Sequence, residues 1–185
     1  MSIVKIIERL VRLLIPEDDI HGLGHIMRVR KLALEIANHV DEPVDVEVLE
    51  LAALLHDIGR LKQHRDHVVL SAEIARLLLN LANYPKEKVE KVVNAILAHS
   101  FSKGIEPKYI ESKILSDADK LDALGAIGIA RVIAHGRILG RDLHDDLNHF
   151  KEKILILKKY FYTEYAAKLA LSLIHISEPT RPLYI

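Results

Sequence analysis

Apolar residues recur at helical spacing along nearly the whole chain, and no stretch of useful length alternates apolar with polar residues. Such a sequence is restricted to folds built from helices. Ile3, Ile6, Ile7, Leu10 and Leu14 follow the i, i+3, i+4, i+7 rule behind a Ser2 cap, and Pro16 ends that helix. The spacing predicts further helices over about 25–40, from Asp45 to Gly59, over 67–81, and from Pro85 to Ser100. A loop at Ser102-Lys103-Gly104 precedes a sixth helix from Pro107 to Leu121. Glycines 125, 128, 136 and 140 are expected to interrupt a seventh, and helices near 144–160 and 163–173 follow. The expectation is an all-α bundle of short, mutually crossing helices with no sheet. Half of the 185 residues are hydrophobic, enough for the core of one ordinary domain.

Charge and composition narrow the function. Twenty-six basic residues balance 26 acidic ones, so net charge favours neither polymeric nucleic acid nor an anionic membrane as partner. Without cysteine, neither a disulfide scaffold nor a thiol nucleophile is available. Apolar runs are too short to span a bilayer, and the N-terminus carries charge too early for a signal peptide. A cytoplasmic protein is expected. Eleven histidines outnumber both the eight glycines and the aromatics, three Phe plus six Tyr.

His56 and Asp57 close the apolar run LAALLHDIGR, with His56 on the face of Leu49, Ala52 and Ala53. An unpaired aspartate there is costly to bury. Either the pair bonds to helix-end backbone or a metal ion resolves both groups. His25 lies on the inward stripe of Val29, Leu32 and Ile36, so two histidines and a carboxylate could supply N, N and O donors to one ion, or form a hydrogen-bonded core pair. Asp117, Asp119 and Asp122 sit in an apolar segment; Asp119 and Asp122 are i, i+3 neighbours while Asp117 and Asp119 diverge, so the three cannot all face one point from a straight helix. One is expected at a metal and another behind a histidine; salt bridges to Lys113, Lys120 or Arg131 are the competing reading.

His25 in HIMRV, His56-Asp57 in LLHDIGR and Asp119 in DADKLDALGAIGIARV resemble the H…HD…D signature of the HD-domain metal-dependent phosphohydrolases. HSFSKG at 99–104 and the His-Phe pair at 149–150 resemble a bacterial and archaeal branch of that family. A lone His-Asp pair is a weak signal; four motifs in order on helices are specific. The match spans about residues 20–170, so 1–171 is expected as a single HD domain. The run SLIHISEPTRPLYI resembles translated adaptor sequence, and 172–185 is expected as an irregular tail, native or not.

The resemblance implies one divalent ion held by His25, His56, Asp57 and Asp119, with Asp119 preferred over Asp117 because the family's last ligand follows an alanine. Relatives with two metals imply His99, His67 and Asp117 as further ligand or substrate contacts. His64, His135, His144 and His149 are expected to be surface or structural. Many relatives read His-Asp where this chain reads His21-Gly22, and the adjacent histidines of cyclic-dinucleotide phosphodiesterases are replaced by His99-Ser100. Imidazole and carboxylate donors suit Mn, Fe, Co, Ni or Zn better than Mg alone. The implied activity is hydrolysis of a phosphorylated small molecule, most readily a nucleotide, by a metal-activated water. Asp57 orients the water and Lys120 contacts a phosphate oxygen; Arg28, Arg131 and His21 are further phosphate contacts. A di-iron oxygenase and a metal-holding regulatory domain without turnover are the alternatives.

Overall fold

The computed structural model describes residues 2–18, 20–62, 66–100, 103–150 and 155–177. Among them are nine α-helices, α1 (Ile3–Leu14), α2 (Leu23–Ala37), α3 (Val46–Leu55), α4 (His67–Leu81), α5 (Lys86–Ala98), α6 (Ile110–Asp122), α7 (Gly125–Ile138), α8 (Leu143–His149) and α9 (Glu164–Ser177), and no strand. None of these helices is long and apolar enough to cross a membrane.

The hub is α3. Val48, Leu49 and all residues from Leu51 to Leu55 are buried, because α1, α2, α5 and α6 pack around it. Asp45 starts α3 as expected, its Oδ1 accepting the Val48 N–H at 3.2 Å, while its own N–H donates to buried Glu111 on α6. The helix ends at Leu55, four residues before the expected glycine, and a 3-10 turn, Ile58–Lys62, follows. That turn lies against the start of α4. A Cβ on Gly59 would stand 2.3 Å from the His67 carbonyl oxygen, so only glycine permits the approach. The Gly59 N–H donates to Ser71 Oγ at 2.9 Å.

Second in burial is α6, which carries polar groups into the core: Glu111, Ser112, Ser116, Asp117, Lys120 and Asp122 are all buried. Each has a partner, as buried polar groups require. Ser112 Oγ donates to Asn94 and Ser116 Oγ donates to the His99 carbonyl. The helix starts at Ile110 rather than near Pro107, because Lys108 is tied by its N–H to Asn94 Oδ1 outside the helix.

Three expectations need correction. Glycines do not break α7; Gly136 lies inside it, where a Cβ would collide with the Asp146 carboxylate of α8 at 2.0 Å, and Gly140 (φ +70) marks the exit. The expected helix over 144–160 is the short α8 and, later, a 3-10 turn, Leu155–Lys159. Residues 151–154 lie outside the described residues. The irregular tail does not begin at 172: α9 continues to Ser177, burying Ile174 and setting Leu173 Cδ2 3.2 Å from a Cβ on Gly125. The prolines at 179 and 182 lie outside the described residues.

Candidate metal and substrate site

The ends of α3 and α5, the start of α2 and the last turns of α6 meet at one point. His25 donates from Nδ1 to Asp122 Oδ2 at 2.7 Å, His56 from Nδ1 to the Ala53 carbonyl at 2.8 Å, and His99 from Nδ1 to the Ile96 carbonyl at 2.5 Å. These acceptors hold the proton on Nδ1, so each ring turns Nε2 inward. Burial pushes His25 and His56 down from the ordinary histidine value, against the pull of Asp122 on His25 and Asp57 on His56. Both rings are therefore neutral at neutral pH, and their Nε2 lone pairs face each other at 3.2 Å.

Carboxylates complete the cluster. Asp119 Oδ1 lies 3.4 Å and Asp57 Oδ2 3.7 Å from His25 Nε2. Asp57 Oδ1 faces His67 Nε2 at 3.5 Å and His99 Nε2 at 3.9 Å, while His21 Nδ1 is 3.9 Å from Oδ2. Burial alone would raise Asp57, but His56 and Arg60 outweigh it and hold this carboxyl well below the usual carboxylate range. Asp119 is likewise held low, with His25 and His99 overcoming burial. Asp57 is 2% exposed, yet its Oδ1 accepts no hydrogen bond among the described residues.

Lone pairs and anionic oxygens thus converge with too few protons between them, the donor set that a divalent cation fits. Three triads each bring their ligand atoms within 4.8 Å of one another: His21, His25 and Asp57; His25, His56 and Asp119; His56, Asp57 and His99. The structure brings His25, His56, Asp57 and Asp119 together and adds His99, His67 and His21.

Other expectations fail on geometry. Asp117 is no ligand: its two oxygens accept from Tyr162 N, Thr163 N and Thr163 Oγ1 at the start of α9, and from Lys120 Nζ at 3.1 Å. Lys120 is 3% exposed, with its ammonium on Asp117 and 4.6 Å from the Tyr162 ring centroid. It braces α6 against that turn and is not among the residues that line the large cavity beside Asp57. Arg28 binds both oxygens of Asp122, and Arg131 binds Asp122 and the Ile20 carbonyl, so they order the residue behind His25.

A cavity of about 830 Å³ opens beside Asp57. Its polar wall is His21, Arg60, His67 and His135; its apolar wall includes Ile15, Pro16, Leu61, Ile138 and Leu139. His135 therefore belongs to the cavity, its ring edge-on to His21 at 5.2 Å, rather than to the surface. His144 is exposed, His149 lines a smaller recess with Arg131 and Arg141, and His64 lies outside the described residues. Burial and then Arg60 press His67 down to about 4 and His21 to about 3. Arg60 has no counterpart in the sequence expectations, although it stands three residues after Asp57 in LLHDIGR. The loop presenting His21 is folded on Asp18, whose Oδ1 accepts from Ile20 and His21 N–H groups. A Cβ at Gly22 would stand 2.5 Å from the Pro16 carbonyl oxygen, so the aspartate that relatives carry here does not fit this loop.

Comparison with known proteins agrees with this geometry. A family model described as HD domain matches residues 22–124. The Bacillus subtilis protein YpgQ is 36% identical over 166 residues, 85% of this chain and 80% of that protein. The structure of YpgQ in complex with ADP superposes with a TM-score of 0.77 at 30% identity, covering 94% of this chain and 88% of the other. A predicted HD superfamily hydrolase from an uncultured Thermotogales bacterium superposes at 0.70 with 31% identity, covering 94% of this chain and 86% of that one.

Proposed function

The chain belongs to the HD-domain family, and on that premise we propose that it is a metal-dependent phosphohydrolase acting on a phosphorylated small molecule of the nucleotide class. One observation carries the reading: Asp57, with one oxygen bare and the His25, His56 and His99 imidazoles clustered behind it, lines a cavity large enough for a nucleotide beside His21 and His67. His25, His56, Asp57 and Asp119 would hold the ion, Mn, Fe, Co, Ni or Zn in preference to Mg alone. When bound, such an ion lowers the pKa of water and neutralises charge building on phosphoryl oxygens.

The chain's own residues do the rest. Asp122, gripped by Arg28 and Arg131, keeps the His25 proton on Nδ1 and so its Nε2 available. Asp57 stays ionised and orients the attacking water through Oδ1. His67 and His21, both neutral at neutral pH, donate hydrogen bonds without adding charge. The apolar wall of Ile15, Pro16, Ile138 and Leu139 suits a base and sugar, and YpgQ, with ADP in its structure, supports a nucleotide there. The di-iron alternative loses one of its nominal carboxylates, because Asp117 is committed to α9.

A screen of nucleotides against metal-stripped protein reloaded with Mn, Co, Ni or Mg tests this. We expect metal-dependent release of phosphate or pyrophosphate, cut by at least about a hundredfold in Asp57→Ala. Wild-type rates in that variant would place the activity elsewhere.

A further inference from the structure

Asp57 is buried, and the described residues give it one cationic hydrogen-bond donor: Arg60 Nε, at 2.5 Å from Oδ2. That oxygen is the one towards which His25 Nε2 and His21 Nδ1 also converge, at 3.7 and 3.9 Å. The guanidinium therefore stands where an ion shared by these groups would compete with it. A dication beside the same oxygen repels a guanidinium, and the carboxylate they would share is only 2% exposed, which weakens solvent screening there.

Arg60 is also free to leave. Its backbone N–H stays on the Asp57 carbonyl at 3.0 Å, which anchors the turn, while its side chain is 34% exposed and lines the cavity. Arg131, by contrast, is 13% exposed and tied to two carbonyls and a carboxylate. No other arginine or lysine lines the large cavity among the described residues. An anion entering it meets one permanent positive charge.

We propose that Arg60 is an exchangeable counter-ion: it neutralises Asp57 while no metal is bound, and a divalent cation at Asp57 releases it into the cavity to bind a phosphate oxygen. Cation and anion binding are then coupled through one side chain, so the cavity gains an anion receptor when the ion arrives. The proposal rests on Asp57 being a metal ligand, as in the reading above.

The sign of one measurement separates exchange from simple positioning. Calorimetric titration of Mn²⁺ into metal-stripped protein should show Arg60→Gln binding the ion about tenfold more tightly than wild type, because no guanidinium must be displaced. The stripped variant should also melt below stripped wild type, with the gap closing once Mn²⁺ saturates both. Inorganic phosphate should bind wild type more tightly when Mn²⁺ is present, and gain less in Arg60→Gln. Arg60→Lys keeps the charge without the rigid fork and should fall between the two in Mn²⁺ affinity; it decides the sign if the glutamine variant does not fold when stripped. Equal or weaker Mn²⁺ binding by the variants would mean that Arg60 holds Asp57 in place, and overturns the exchange while sparing the metal site. Failure of wild type to bind Mn²⁺ overturns the metal reading itself, and the exchange with it.

Discussion

Three aspartates within six residues of α6 show how one helix divides its charges. Asp119 faces the histidine pair, Asp122 holds His25 behind it, and Asp117 accepts hydrogen bonds from the turn that starts α9. Positions two apart point to nearly opposite sides of a helix, which turns Asp117 away from the site, whereas Asp119 and Asp122, three apart, share a face and meet the two nitrogens of one His25 ring. Lys120 shares the fate of Asp117. Replacing it with methionine leaves a buried carboxylate without its cation, which costs about 3 kcal/mol in such pairs. Lys120→Met should therefore lower the melting temperature clearly while turnover per folded molecule stays close to wild type. Calorimetry and a steady-state rate on the same sample check this; an unchanged melting temperature with a large loss of rate would put the ammonium in the chemistry.

Among the elements, the 3-10 turn after α3 does most to shape the site. Ending α3 at Leu55 lets the chain turn sharply just beyond His56, so that Arg60 reaches back to Asp57. Glycine at 59 then brings the start of α4, with His67, up to the same carboxylate. The last helix, α9, holds the assembly from the other side through α6 and α7. Its final turns are part of the core, since Ile174 is 3% exposed. Truncation after Ser172 should thus cost about 2–4 kcal/mol, the scale of deleting a buried aliphatic side chain and leaving its space empty. Denaturant unfolding of the truncated protein measures it; an unchanged midpoint would show that α9 contributes nothing beyond Ser172.

Across the whole molecule, a hydrophobic bundle surrounds a polar centre whose burial and charges shift its titratable groups downward. His67 at about 4 and His21 at about 3 lie below the ordinary 6.5, and burial lowers His25 and His56 as well. Unfolded chains take up protons on these rings below 6.5 while the folded protein resists, so their stabilising effect is complete above 6.5 and is lost as pH falls. Asp57 and Asp119, lowered in the fold, work in the same direction at lower pH: their contribution is present above the unfolded value of 3.8 and lost beneath it. The melting temperature of stripped protein should be level above about pH 7 and fall steeply towards pH 4. Mn²⁺ should raise it at neutral pH, by an amount that shrinks as protons compete for the imidazoles. A pH series of thermal melts with and without the ion checks both slopes, and a flat profile from pH 7 to 5 would contradict them.

Local spacing by itself determined the all-helical class, the caps at Ser2 and Asp45, the inward faces of His25 and His56, and the motifs that place the chain in its family. Those properties depend on neighbours three or four residues away, which the sequence displays directly. Only the tertiary structure decided which charges pair. His25 meets Asp122 across 97 residues, and Asp117 meets Thr163 across 46. Local spacing indicates which way a carboxylate points, but not whether a backbone N–H, an arginine or an imidazole waits there. For the same reason Lys120 left the expected chemistry and Arg60 entered it: one ammonium found a buried carboxylate and an aromatic ring, while one guanidinium was carried by a tight turn onto the edge of a cavity.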